Sequence, residues 1–216
     1  MDSHRRIFAK FALASSIALG GLLSAAVNAP AYAASDAALP RDQGAETFVQ
    51  AKGQRLITIL ADKSQSTSDK MSAFRGAVDD IADVPTIAKF VLGKYGNSIT
   101  SAQMQKFLPV FQDYVQNMLL QHLSDFHADT LTVKSSGAKA PGDVLVKTTL
   151  TGPNAKPSEL DWRVVGSGSS WKVTDVQISG GSFAWVLRSD FVSTLDDQGG
   201  SIDALIARLQ NEAHHH

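Results

Sequence analysis

The 216-residue sequence contains no cysteine, which excludes a disulfide framework, a thiolate nucleophile and cysteine-ligated metal. Charged residues make up 19% of the chain and balance to a formal net charge of −1. The chain also lacks a run of lysine and arginine. We therefore expect no nucleic-acid partner, because binding to phosphates requires clustered cations. The length allows one domain, or one domain with a helical extension.

The motifs of common enzyme classes are missing as well. The chain has no G-x-S-x-G elbow, no H-E-x-x-H, no Walker loop and no dinucleotide fingerprint. A general base built from His122 or His127 with Asp125 or Asp129 is conceivable, but lone pairs of this kind are more often structural. We expect no enzyme activity, no metal site and no cofactor.

The N-terminal segment 1–33 has the features of a secretory signal. Three basic residues open it, an uncharged apolar run covers 11–27, and a small-x-small tripeptide follows at 31–33. This pattern predicts cleavage before Ala34 and a periplasmic destination. A membrane anchor is the alternative, since the apolar run is close to spanning length. A lipoprotein anchor is excluded because no cysteine stands at the cleavage point.

Beyond the signal, the chain divides into a short lead-in (34–44), a single domain (45–213) and a tail (214–216) whose histidines are either native or the remnant of a tag. The domain begins with helical periodicity, which changes to a period of two after His127. Helices followed by a run of strands predict an α+β fold, with helices covering one face of the sheet.

Four strands joined by short glycine-rich turns predict a twisted antiparallel meander with one apolar face. The last strand slips its alternation by one residue, which predicts a β-bulge near Asp175. Gly180 and Gly181 then allow a tight turn, and Ser182 can cap a helix. A bent strand followed by an apolar helix is one way to wall a concave pocket.

Among the predicted helices, the one that starts at Thr100 is the longest, and Gln103 completes a capping box. Its apolar stripe is too wide for a helix that rests on one flat surface. Such a helix is either plain core or the lining of a cavity. An earlier helix, capped by Ser68, ends in Asp79, Asp80 and Asp83. We interpret these aspartates as a solvated helix end, because a calcium loop needs further ligands.

Several motifs are similar to those of one family. The stretch W-K-V-x-D-V-x-I-x-G-x-S with R-x-x-F, at 171–191, resembles the last strand and following helix of the MlaC family. These proteins are periplasmic phospholipid carriers, also called toluene-tolerance proteins. F-V-L-G-K-Y at 90–95, F-L-P-V-F-Q-D-Y at 107–114 and G-G-S-I-D-A-L-I-A-R at 199–208 resemble further family helices. F-V-L-G-K-Y is also compatible with the family's hopanoid-associated branch.

The resemblance implies a cone-like fold that encloses an apolar cavity for the acyl chains of a phospholipid, bound as cargo. It also implies two partners, an inner-membrane ABC transporter with an MlaD-like ring and an outer-membrane MlaA-like lipoprotein complex. We expect a monomer that shuttles lipid between them. The predicted lipid-binding residues are Phe90, Tyr95, Phe111, Tyr114, Val115, Met118, Val146, Trp162, Val164 and Val176.

Two other interpretations remain open from the residues alone. A periplasmic enzyme of the same cone-like fold would use one of the histidine–aspartate pairs in its pocket. An interaction module with a fully packed core would have neither cavity nor lipid. The lipid class, which includes hopanoids, and the direction of transport are not given by the sequence.

Overall fold

The structure is a computed structural model that describes residues 40–123, 128–153 and 155–214. Some sequence predictions fall outside these ranges or concern side chains that are not described: the signal segment, most of the lead-in, the end of the tail, and the side chains of His122, Asp125 and His127.

Helices precede and follow one sheet, as the periodicity predicts. The helices are α1 (Gln43–Ala61), α2 (Thr67–Ile81), α3 (Val84–Val91), α4 (Ser101–Leu123), α5 (Phe183–Asp197) and α6 (Ile202–His214), with a 3₁₀ turn at Gly93–Asn97. The strands are β1 (Thr130–Ala140), β2 (Asp143–Gly152), β3 (Ala155–Val165), β4 (Lys172–Ile178) and β5 (Gly181–Ser182). Over the described residues, no helix combines the length and apolarity that crossing a bilayer requires.

Local chemistry defines the helix starts. The capping box before α4 is confirmed: Gln103 N–H donates to Thr100 Oγ1 (3.2 Å), and Thr100 N–H donates to Gln103 Oε1 (3.0 Å). The cap predicted for α2 is wrong by two residues. Ser66, not Ser68, accepts from the backbone N–H of the third residue of α2, at 3.1 Å. Both serines satisfy the cap pattern, and the sequence does not distinguish them.

The sheet is antiparallel with the strand order β1-β2-β3-β4-β5. The α+β class is confirmed, but the expected number of four strands is one too few. The fifth strand pairs Gly181 with Ile178 and Ser182 with Gln177, after a turn at Ser179 and Gly180 with positive φ angles of 50° and 82°. A two-residue strand is too short to produce an alternating pattern, so periodicity does not reveal it.

The bulge predicted near Asp175 is confirmed. Val173 lies opposite Val164 and Asp175 opposite Arg163, so Thr174 is the extra residue of β4. Both Val173 and Val176 therefore face the helices, although they stand three positions apart in the sequence. A bulge bends and twists a strand locally, and here it leaves both valines on the inner face of the sheet.

Two glutamines cover the open edge of β1. Gln54 accepts from Leu131 N–H (2.7 Å) and donates to the carbonyl of Asp129 (2.8 Å). Gln50, one turn earlier on α1, donates to the carbonyl of Leu131 (2.9 Å) and accepts from Val133 N–H (3.2 Å). These side chains take the place of a neighbouring strand and satisfy backbone groups that an edge otherwise exposes.

The apolar interior consists of two clusters. The sheet core joins α1 and α2 to the inner face of β1–β4; it includes Leu56, Phe74, Val146, Trp162 and Val164. The helical core joins α3, α4, α5 and α6; it includes Phe107, Phe111, Tyr114, Phe191 and Leu205. Val176 packs against both cores. The interior is thus divided between the sheet side and the helix side, and the junction between them is where a cavity can form.

Gly53 shows how closely the sheet core is packed. A Cβ atom at this buried position of α1 would lie 2.8 Å from Leu131 Cδ1 and 3.2 Å from Trp162 Cζ2. We predict that Gly53→Val lowers the free energy of unfolding by about 1–3 kcal/mol through overpacking. Chemical denaturation measures this change.

The matched control is Gly76→Val in α2, where a Cβ atom would have nothing within 4 Å. We expect this exposed change to stay within about 0.5 kcal/mol of the wild type. Equal effects at the two positions would contradict the close packing of α1 on the sheet.

Candidate functional site

The junction of the two cores holds an apolar cavity of about 150 Å³, within a cleft of about 1,060 Å³ that includes open solvent at its mouth. The sheet side of the wall comes from α1, α2, β3 and β4, and the opposite side from α3, α4 and α5. Its apolar lining residues are Leu56, Ile57, Leu60, Phe74, Val78, Ile81, Ala82, Val84, Ile87, Phe111, Val115, Leu160, Trp162, Val173, Val176, Ile178, Phe183, Ala184 and Leu187.

Trp162 forms the floor of the cavity on the sheet side and is held in a fixed orientation. Its indole N–H donates to Thr148 Oγ1 at 3.2 Å, and the Thr148 hydroxyl donates to the carbonyl of Leu160. The indole nitrogen therefore contacts Thr148 on the neighbouring strand, and the apolar part of the ring faces the cavity. The wall gains a large apolar surface without an unsatisfied donor.

Asp175 fixes α5 to the bulged strand at the other side of the cavity. Its carboxylate accepts from the Ser182 hydroxyl (2.5 Å) and from the backbone N–H of Ala184 (2.9 Å). Ser182 Oγ in turn accepts from Trp185 N–H at 3.1 Å and caps α5, as the sequence predicts. Burial raises the pKa of Asp175 above its usual range, against the opposing effect of these bonds.

Four lining residues are polar: Gln112, Gln116, Thr174 and Asp175. Gln112 and Gln116 lie one turn apart on α4, and both donate to Asp79 Oδ1 on α2, at 2.5 Å and 2.6 Å. The cavity is therefore apolar inside, with amides on one side and the engaged carboxylate of Asp175 on another. Such a surface accommodates hydrocarbon and offers polar contacts only at defined positions.

The structure brings four of the ten predicted lipid-binding residues to the cavity, namely Phe111, Val115, Trp162 and Val176. They come from α4, β3 and β4, as expected from the motifs at 107–114 and 171–191. Their contact with a lipid stays a prediction.

The other six do not line the cavity. Tyr114 and Met118 are buried in the helical core, where the Tyr114 ring lies 5.9 Å from the ring of Phe191. Val146 and Val164 are fully buried under α1 and α2 in the sheet core. The wide stripe of α4 thus faces the cavity on one side and the helical core on the other. Alternation along a strand predicts which residues lie on the buried face of the sheet, but not whether they contact the cavity or the helices.

Phe90 and Tyr95 are displaced toward the surface. The ring of Phe90 makes an edge contact with Trp185 at 5.4 Å, and the guanidinium of Arg188 lies over it at 4.9 Å. Tyr95 donates its hydroxyl to Asp196 at 2.6 Å. These two rings do not line the cavity in this structure, and their contact with a lipid stays a prediction. This segment fixes α3 to α5 instead.

Sequence reasoning missed the contribution of α1 and α2. Leu56, Leu60, Phe74 and Val78 belong to the amphipathic stripes of these helices, which are visible in the sequence. A stripe identifies the buried face of a helix, but nothing in it tells core from cavity.

The three aspartates at the end of α2 have separate partners. Asp79 accepts from the two glutamines, Asp80 pairs with Lys52 Nζ at 2.5 Å, and Asp83 caps α3 by accepting from Thr86 N–H at 3.1 Å. Across the described ranges, no three side chains of the metal-ligating types come together. These contacts agree with a helix end rather than a cation site.

The MlaC protein family model matches residues 50–211, a range that contains every residue of the cavity wall. The chain belongs to the MlaC family. Among its relatives, the toluene tolerance protein ttg2D of Pseudomonas putida is 25% identical over 163 residues, which cover 73% of this chain and 76% of that protein. The intermembrane phospholipid transport system binding protein MlaC of Haemophilus influenzae is 27% identical over 129 residues, which cover 57% of this chain and 58% of that protein.

The fold agrees with a solved structure of another protein. The phospholipid-binding protein from Ralstonia solanacearum, determined in complex with a phospholipid, matches with a TM-score of 0.69 at 23% sequence identity. The match covers 79% of this chain and 97% of that one. Membership of the MlaC family and the helix-on-sheet architecture are therefore mutually consistent.

The contacts of Asp175 generate a stability prediction. Asp175→Ala leaves the N–H of Ala184 and the hydroxyl of Ser182 without their acceptor, and we expect it to lower the free energy of unfolding by about 1–3 kcal/mol at neutral pH. Asp175→Asn keeps one acceptor oxygen and should lose less. Denaturant unfolding of the two variants distinguishes these outcomes, and equal losses would contradict the assigned bonds.

The same residue gives a pH dependence. Because burial raises the pKa of Asp175 above its unfolded value near 3.8, protonation of the folded carboxyl group adds stability that is full below that value and is lost as pH rises through the folded pKa. The hydrogen bonds from Ser182 and Ala184 remain, so relative to Asp175→Asn the wild type should lose only this part of its stability as pH rises from about 4 through the folded pKa. Unfolding free energies measured across this window should reveal the difference; parallel curves would contradict it.

Proposed function

We propose that this MlaC-family chain is a periplasmic phospholipid carrier, which holds the acyl chains of its cargo in the cavity between the sheet core and the helical core. The observation that carries the proposal is the apolar cavity itself, walled by elements from both cores. The relatives support it by name, since one belongs to an intermembrane phospholipid transport system. The Ralstonia protein of the same fold was solved with a phospholipid.

The physical driving force is the transfer of acyl chains out of water. Each buried methylene contributes about 0.8 kcal/mol, so even part of one chain supplies a useful affinity. Opening the cavity and ordering the chains offset much of this gain. Because the apolar wall interacts with hydrocarbon alone, it discriminates poorly between head groups.

The size of the cavity supports a loading step that involves movement. An engineered protein cavity of about 150 Å³ holds a molecule the size of benzene, and a diacyl lipid is several times larger. The sheet core and the helical core must therefore separate when cargo binds. A carrier of this design releases its cargo when a partner favours the more open arrangement.

The expected partners are the inner-membrane ABC transport complex with its MlaD-like ring and the outer-membrane MlaA-like lipoprotein complex. In this arrangement the chain shuttles lipid between the two membranes, after removal of its signal segment in the periplasm. The proposal includes binding and transfer of the lipid and no reaction on it. A hopanoid-class lipid is the alternative cargo.

We predict that Val115→Trp reduces lipid loading. Val115 is half-buried on α4 and lines the cavity, so the indole would occupy space needed by an acyl chain. Overpacking of this kind costs about 1–3 kcal/mol, which corresponds to a loss of affinity of about five- to 150-fold. Phospholipid extracted from equal amounts of folded protein measures the loading.

The control is Val165→Trp, at an exposed valine at the end of β3 that lies outside the cavity wall. It adds the same side chain and should load as the wild type does. Thermal unfolding confirms that both variants are folded. Undiminished loading of Val115→Trp would place the cargo elsewhere.

A further inference from the structure

The boundary between α2 and α4 differs from the other walls of the cavity because polar side chains close it. Asp79 on α2 accepts from Gln112 and Gln116 on α4, at 2.5 Å and 2.6 Å. One turn earlier on α2, Arg75 donates to Asn117, also on α4. We call these five side chains the α2–α4 seam.

The seam is part of the cavity wall. Gln112 and Gln116 both line the cavity, and Gln116 is only 3% exposed. Asp79, which accepts from both, is exposed to solvent. The pair of amides therefore connects the apolar interior directly with the outside, across a single layer of side chains.

The other side of the junction between the cores is held by backbone groups. The chain passes from α2 to α3 through Ala82, which forms a bridge with Val173, and through Asp83, whose N–H donates to the carbonyl of Val173 at 2.9 Å. Asp175 fixes the start of α5 to the same strand through Ala184 N–H. These bonds are ties that involve backbone atoms directly, so they resist separation of the two cores.

The seam has no such ties. It consists of side-chain hydrogen bonds, two of which end at an exposed carboxylate, and each contributes only about 0.5–3 kcal/mol net because water can replace it. Separation of the two cores should therefore begin at the seam, with the ties at Val173 and Asp175 acting as the hinge.

On the basis of the proposed function, we propose that lipid enters and leaves the cavity between α2 and α4. The acyl chains pass inward between the helices, and the polar end of the lipid remains at the seam. There the amides of Gln112 and Gln116 can donate to its ester or phosphate oxygens once they release Asp79. The seam is thus both the gate of the cavity and the polar contact for the cargo.

The absence of cysteine makes the gate directly testable. In the variant Asp79→Cys/Gln112→Cys, the two thiols replace side chains that meet at their tips. A short bis-methanethiosulfonate linker bridges them and is removed by reductant. The probe is pyrene-labelled phosphatidylcholine, exchanged with vesicles of phosphatidylethanolamine and phosphatidylglycerol.

We expect the linked seam variant to exchange the probe at least about tenfold more slowly than the same protein after reduction, because the linker replaces weak bonds with covalent ones. The matched control is Lys52→Cys/Asp80→Cys with the same linker. Lys52 and Asp80 join α1 to α2 at 2.5 Å, one residue away from the seam, and linking them should leave exchange unchanged. Equal slowing of both linked proteins, or of neither, would overturn the gate.

A single substitution provides a second test that adds no cross-link. Asp79→Ala removes the common acceptor of the seam on an exposed helix surface and should speed exchange about three- to tenfold. Asp80→Ala is the neighbouring control and should not. Unchanged exchange in Asp79→Ala would contradict the gate.

The same assay separates this inference from the proposed function. A wild-type protein that takes up no probe refutes the carrier function, and with it the gate. A wild-type protein that exchanges the probe, together with a linked seam variant that exchanges it as fast as its own reduced form, keeps the carrier function and refutes only the gate.

Discussion

The architecture depends on the carboxylate of Asp175. It stands beside the bulge residue Thr174 and accepts from Ser182 and Ala184, which fixes the start of α5 against β4. Without the bulge, Val173 and Val176 would face opposite sides of the sheet. Without the bonds of Asp175, the start of α5 would lose its attachment to β4 at the junction of the two cores. A half-buried carboxyl group thus joins the two apolar layers at one side of the cavity.

This arrangement explains why one part of the interior is packed closely and another is not. At Gly53, α1 approaches the sheet so closely that a Cβ atom would meet Leu131 and Trp162. Between Trp162 and Phe111, on opposite walls, lies a cavity. Protein interiors are otherwise close-packed, and a void lacks the dispersion contacts that stabilise them. The chain therefore lacks dispersion contacts at the cavity, and a bound apolar molecule can supply them. The membership of the MlaC family agrees with this interpretation.

Sequence reasoning succeeded where a structural feature depends on neighbouring residues. The capping box of Thr100 and Gln103, the cap at Ser182 and the bulge near Asp175 follow from local backbone chemistry and were all predicted. It failed where tertiary packing determines whether a buried residue lines the cavity or lies in a packed core. Val115 and Tyr114 are adjacent on the broad stripe of α4, yet one lines the cavity and the other lies in the helical core. No period in the sequence distinguishes these environments. The contribution of α1 and α2 was missed for the same reason, and the two-residue strand β5 because it is too short to produce a pattern.

Native mass spectrometry of the mature protein, purified without detergent, tests whether the cavity between the two cores holds a phospholipid. We expect an adduct of phospholipid mass that disappears when the protein is denatured, and the mass of the adduct identifies the lipid class. A protein that shows only its own mass, even after incubation with phospholipid vesicles, would refute the binding of phospholipid in the cavity.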